Sequence, residues 1–389
     1  MPFNFDEIID RRGTHSIKFE SGRAQNPYLP EDYIPLWIAD MDFACPEPIL
    51  AAMRRRLGRR VLGYTTADSD AYTQAVAGWM KRRYGWDIRP EWISFSSGIV
   101  AALFAAVDCL TKPGDAVLTM TPAYYPFAAA IRRYGRTPLY SRLLSRNGYY
   151  HIDWADFERK ARQKDCTLLF LCSPHNPTGR VWTEEELCRI GNICFANDVF
   201  IVSDEIHADL LRAGQTHRPL AALFPSEARL LTCTAPSKTF NIAGNRHANL
   251  IIPDTELRRR WEAMANLGHP GALTVDATIA AYTQCDDWLD ALRAYLDDSF
   301  AMLDDTLRKR LPKAIYRVPE GTYLAWMNFE KLGLSDERLR ELVSRAGVFA
   351  QFSGDFVDND AACMRLNMAS PRSVLAEAFD RICGALSGY

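Results

Sequence analysis

Between residues 90 and 255 the chain alternates between two hydrophobic rhythms. Short unbroken apolar runs, "WISF", "AVLTM", "TLLFLC", "VFIVS", "RLLTCT" and "ANLII", are rich in Val, Ile, Leu and Phe. Between them lie longer stretches with apolar positions every three or four residues, such as "GIVAALFAAVDCL" and "TEEELCRIGNICFAND". Thr183 and Glu186, three residues apart, predict a capping box at the start of the second helix. Continuous apolar strands separated by helices predict a mostly parallel sheet covered by helices on both faces.

The rhythm changes near residue 286. A long amphipathic helix, "WLDALRAYLDDSFAMLDDTLRKRL", is followed by a strand, "GTYLAWMNF", and then by helix, strand and helix. This predicts an α/β chain in three parts: an N-terminal segment (1–45) joining the small domain, a large domain (46–285) and a small C-terminal domain (286–389). The sequence carries no low-complexity tract and no internal repeat.

Composition narrows the functions available. Of 389 residues, 48% are hydrophobic and 24% charged, with a net charge of −2, which argues against a polyanionic partner such as nucleic acid. The basic run Arg54-Arg55-Arg56 with Arg59-Arg60 reads as a solvated helix face. The ten cysteines include no C-x-x-C pair and no zinc-like grouping with His, which fits a reducing compartment. No apolar run is long enough to span a bilayer, and the acidic start lacks the order of a signal peptide. A cytoplasmic location is therefore expected.

In sheets of this type ligands bind beyond the carboxyl ends of the strands, so the polar residues there carry the interest. After "WISF" come Ser96, Ser97 and Gly98 at the start of a helix, which is either a phosphate cradle or a tight turn. After "TLLFLCSP" comes "HNPTGR", an ordinary turn that also presents the amide of Asn176. Asp204 ends "VFIVSD", and a carboxylate there is costly to bury without a partner: a helix N-terminus or a protonated ring nitrogen. Lys238 follows "RLLTCT", with Arg246 eight residues on. A phosphate-binding turn, an amide, a carboxylate and a lysine on four strand ends make up the set that pyridoxal phosphate requires.

With those residues in place, the chain resembles the fold-type-I pyridoxal-phosphate enzymes, and within them the cystathionine β-lyase family of MalY/PatB-type C–S lyases. The resemblance runs through "FDEIIDRRGTHSIKF", "LWIADMDF", "LGYT", "TPAYYPF", "LCSPHNPTGRVW", "SDEIHADL", "APSKTFNIAG", "GTYLAW" and "MRLNMAS". It implies the aspartate-aminotransferase-like fold, with a mostly parallel seven-stranded sheet in the large domain, and a set of roles. Lys238 is the Schiff-base lysine and general base, Asp204 pairs with the pyridinium nitrogen, and Tyr124 stacks on the ring. Asn176 and His207 reach the phenolic oxygen. Gly98, Ile99, Ser237 and Arg246 hold the phosphate, together with Tyr64 of a neighbouring subunit, which implies a homodimer. Arg365 grips the substrate α-carboxylate, beside Ala39 and Asn176.

The activity implied is β-elimination from cystathionine or another L-cysteine S-conjugate, yielding pyruvate, ammonia and a thiol. The same residues permit transamination. Two departures from the family pattern also keep a specialised elimination–cyclisation on an unusual amino acid open: Asn245-Arg246 stands where the family has Leu-Gln, and "QFSGDFVDND" (351–360) replaces a Pro-Gly loop.

Overall fold

The computed structural model describes residues 3–264 and 268–389, and in it the apolar runs of the first rhythm become one sheet. Its strands are β1 (Ile93–Ser96), β2 (Ala116–Thr121), β3 (Thr137–Arg142), β4 (Cys166–Cys172), β5 (Phe200–Asp204), β6 (Leu230–Thr234) and β7 (Ala248–Ile251). They lie in the order β1-β7-β6-β5-β4-β2-β3. All pairings are parallel except the two made by β7, which runs antiparallel to both β6 and β1. β1 therefore points the same way as the parallel strands, and one sheet edge collects the turn after β1, the ends of β4, β5 and β6, and the approach to β7.

Strands buried on both faces need the continuous apolar sequence that β2, β4, β5 and β6 have. β3 differs: it is an outer strand, "TPLYSR", only partly buried and carrying a proline, as an edge position tolerates. The helix Glu184–Ala196 begins in the expected capping box, with Thr183 Oγ1 accepting from Glu186 N (3.1 Å) and Glu186 Oε2 accepting from Thr183 N (2.9 Å). The arginines 54, 55, 59 and 60 are exposed.

The C-terminal part holds a three-stranded antiparallel sheet, β8 (Leu324–Asn328), β9 (Gln351–Phe352) and β10 (Cys363–Asn367), with β10 central. The long helix Asp286–Arg310 and the last helix, Arg372–Leu386, pack against each other in this part of the chain. The N-terminal segment reaches this part: Ile34–Pro35 pairs in parallel with Val348–Phe349, and Asn367 N donates to Leu36 O (2.9 Å). A second bridge ties the 351–360 stretch to the large sheet's loops, where Phe356–Val357 pairs antiparallel with Ala123–Tyr124. Asp358 reinforces it, accepting from Thr121 Oγ1 (2.8 Å) and from Arg142 Nη2 (2.7 Å). Among the described residues no helix is long and apolar enough to cross a membrane.

Candidate active site

The sheet edge opens into a cleft of about 620 Å³. Gly98, Ile99, Tyr124, Asn176, Asp204, His207, Ser237, Lys238, Arg246, Arg365 and Ala39 all line it. Tyr64 does not: it stands 99% exposed beyond the cleft, its ring set edge-on against His269 at 6.1 Å. Trp37, Cys172 and Gln351 also line the cleft, and nothing in their spacing along the chain marks them out.

Lys238 sits on the short helix Pro236–Thr239, directly after β6. What fixes that helix is a buried carboxylate in the motif "DEIHADL". Asp209 accepts from Thr239 Oγ1 (2.7 Å), Trp79 Nε1 (3.1 Å) and the Tyr84 hydroxyl. The Lys238 amine donates to the carbonyl of Ala39. Burial is the main influence on the amine and pushes it down to about 8; Arg365 pushes the same way, against the opposing pull of Asp40 and Asp204. At pH 7 such an amine is about 10% uncharged, some 300 times the fraction for an ordinary lysine. It is a usable nucleophile and base.

Asp204, at the end of β5, is 5% exposed and accepts a hydrogen bond from Ile206 N (3.2 Å). Burial drives its carboxyl up to about 7, Glu205 adds to the rise, and Lys238 only partly offsets it. His207 is pushed down to about 3, first by burial and then by the nearby charges of Lys238 and Arg365. The ring is neutral at physiological pH, and its buried Nδ1 has no hydrogen-bond partner among the described residues.

Arg365 comes from the middle of β10, in the C-terminal three-stranded sheet, and lines the cleft. Its Nη1 donates to Asn176 Oδ1 (2.9 Å) and its Nη2 to Trp37 O (3.0 Å) and the Gln351 side chain. The guanidinium lies over Phe356, 5.1 Å from the ring centroid, and its buried Nε is unpartnered. Burial lowers even this strong base to about 10. At the other end, Gly98 precedes the helix Ile99–Leu110 with φ +131°, a backbone conformation that L side chains rarely adopt. The first backbone N–H groups of that helix open onto the cleft, the arrangement that receives anions. Ser237 and Arg246 line the same cleft, and Arg246 is placed there because β7, antiparallel, begins at this edge.

Residues 31–382 match the family model for aminotransferase class I and II. Cystathionine β-lyase PatB of Bacillus subtilis is 40% identical over 99% of this chain and 100% of its own length. The PLP-bound C–S lyase of Staphylococcus hominis complexed with the inhibitor L-cycloserine has a TM-score of 0.94 at 39% identity, covering 99% of this chain and 98% of that one. Cystalysin of Treponema denticola, whose crystal contains pyridoxal 5′-phosphate, gives 0.96 at 36% identity over 100% of both chains. With the sheet order, the cleft and these likenesses together, the chain belongs to the class I and II aminotransferase family, among the relatives that include cystathionine β-lyase PatB and the C–S lyases.

Proposed function

We propose that this protein is a pyridoxal-phosphate-dependent C–S β-lyase that converts L-cystathionine or a related L-cysteine S-conjugate into pyruvate, ammonia and a thiol. The observation that carries the reading is the meeting, in one cleft, of a buried amine (Lys238), a buried carboxyl lacking a cationic partner (Asp204) and a buried guanidinium (Arg365). Among chemistries with this fold, kinship to cystathionine β-lyase PatB and the C–S lyases selects elimination.

The cleft fits the cofactor on its own evidence. Asp204 lacks the positive group that would let it ionise, and a protonated pyridine nitrogen is such a group. His207, whose buried Nδ1 lacks a hydrogen-bond partner among the described residues, and Asn176 both line the cleft and could serve a phenolic oxygen, and the Gly98–Ile99 turn, Ser237 and Arg246 suit a phosphate. When bound, pyridoxal phosphate supplies an aldehyde that bonds to an amine and a ring that draws electrons from Cα.

The chain's own residues do the rest. With the cofactor bound, Asp204 would hold the proton on the ring nitrogen and Tyr124 would be available to cover the ring. Arg365 and Asn176 hold the substrate carboxylate, which turns the Cα–H toward Lys238. The Lys238 amine would take that proton, the electron pair left at Cα would form the Cα–Cβ double bond as the thiolate leaves Cβ, and water would hydrolyse the released enamine to pyruvate and ammonia. The motif "LGYT" carries Tyr64 outward on an exposed stretch with Val61 and Leu62, suited to entering the cleft of a second copy in a cytoplasmic homodimer.

A panel of L-cysteine S-conjugates tests this directly. Pyruvate and free thiol in equal amounts, without added oxo acid, are expected. Turnover that depends on an added oxo acid, with no pyruvate, would establish transamination instead. Arg365→Ala is expected to lower kcat/KM about 100-fold, chiefly through KM, since it removes a charged partner of the carboxylate. Arg365→Lys should recover only part of this, because an ammonium cannot reproduce the two-pronged contact. A KM unchanged across several substrates would remove Arg365 from the carboxylate site.

A further inference from the structure

The motif "DRRGTHSIKF" near the N-terminus carries a lysine, Lys18, that the reaction does not use. Lys18 is fully buried, with its side chain 0% exposed. Its three amine hydrogens are all engaged: Asp42 Oδ1 (2.8 Å), Asp42 Oδ2 (2.8 Å) and the carbonyl of Asp40 (2.8 Å). The backbone carbonyl of the same residue accepts from Trp37 Nε1 (3.1 Å). Lys18 thus fastens both ends of the stretch Trp37–Asp42.

That stretch is one wall of the cleft. It gives the carbonyl of Trp37 to Arg365 and the carbonyl of Ala39 to Lys238. Other ties converge on it: Asn367 Nδ2 donates to Ile38 O (2.9 Å) and Asp40 O (2.7 Å), and Arg11 Nη2 pairs with Asp40 Oδ2 (2.6 Å). We propose that Lys18 is a positioning residue: by clamping Trp37–Asp42 it sets the two carbonyls that receive the catalytic amine and the carboxylate-binding guanidinium. The role of the amine and guanidinium rests on the lyase reading above.

Stability alone gives a poor reason for the pair. Removing two charges from water costs several kcal/mol, and apolar residues of similar size commonly replace a buried ion pair without loss. What such residues cannot do is hold a carbonyl and an indole in fixed directions. A displacement of about 1 Å at a reacting group can cost about 100-fold in rate.

The test removes both charges at once, since deleting only that of Asp42 takes from the buried Lys18 its carboxylate partner, whereas Asp42 also meets Arg11 Nη1 (3.4 Å) and accepts from the Ser370 hydroxyl. In Lys18→Met with Asp42→Asn, the melting temperature is expected to stay within a few degrees of wild type, while kcat/KM for pyruvate release falls about 10- to 100-fold. A second readout needs no substrate: the rate at which apo-protein captures pyridoxal phosphate, followed by absorbance against pH. In wild type its midpoint is expected near 8, because burial of Lys238 among Asp40, Asp204, Arg365 and the neutral His207 holds the amine down. A loosened wall admits water, so the midpoint should rise by about one unit.

A double variant with wild-type melting, kcat/KM and capture midpoint overturns the proposal. If the double variant does not fold, Trp37→Phe decides, since it removes the indole donor and keeps the stacking on Phe349. A several-fold loss of kcat/KM with the same direction of shift is expected, and wild-type behaviour would refute it. A wild-type enzyme that releases no pyruvate sinks the lyase reading by itself, while the capture midpoint still judges Lys18.

Discussion

Lys238→Ala should lose 1,000-fold or more of the pyruvate-releasing activity and keep its fold. A positioned general base is worth roughly 10²–10⁴ in rate, and in the proposed reaction this lysine would also hold the cofactor. The fold survives because the side chain makes one hydrogen bond, to Ala39 O, while its helix is held independently through Thr239 and Asp209. Lys238→Met isolates the cost of the buried charge. The folded amine sits near 8 against an ordinary 10.5, so the native state binds fewer protons than the unfolded state between those values. Apo wild type therefore gains stability as pH rises through that window, and the methionine variant does not. Below pH 8 the variant should be the more stable by up to about 3 kcal/mol. Thermal unfolding of both apo-proteins from pH 7 to 10.5 measures it, and added methylamine should restore part of the lost rate in Lys238→Ala. Retained turnover without any added amine would refute the base assignment.

How far such a site can be read from sequence depends on what kind of interaction makes it. The strands β4, β5 and β6 are legible because burial on both faces demands unbroken apolar runs, and their ends could be named residue by residue. β3 was not, because an edge strand is under no such demand and "TPLYSR" reads as loop. The helix Asp70–Tyr84 was likewise missed; its sequence mixes small, polar and aromatic residues with no clean apolar stripe. Eleven expected site residues meet in one cleft because sheet direction brings strand ends together, a consequence of topology that local patterns imply.

Contacts that depend on long-range register left no such trace. Gln351 reaches Arg365 because β9 and β10 pair with those two residues opposite each other. Asp209 reaches Thr239 across thirty positions of chain, and Lys18 reaches Asp42 across twenty-four. The motifs "ADMDF" and "DEIHADL" stood out as family marks without a physical role. The structure supplies one for each: the first walls the cleft, and the second fixes the helix that carries the lysine.

Asp204→Asn should lower kcat about 100- to 1,000-fold and weaken cofactor binding, because breaking a buried charged pair costs about 2–5 kcal/mol. An amide cannot hold a proton on the ring nitrogen, so the electron demand on Cα falls. The pH dependence of the apo-protein tests the cause without any catalysis. The folded carboxyl lies near 7 against an ordinary 3.8, so between those values the native state binds more protons than the unfolded one. This contribution is full below pH 4 and is lost as pH rises through 7, so apo wild type loses stability across that window. Asp204→Asn removes the term, and its apo form should be the more stable at pH 7.5, by at most about 4 kcal/mol. Loading with pyridoxal phosphate should reverse the order, since the wild-type carboxylate then has its cation. Urea unfolding of both proteins, with and without cofactor, from pH 4.5 to 7.5 gives all four curves. Equal pH slopes for the two apo-proteins would mean that Asp204 is not the strained, partnerless acid on which the ring's protonation depends.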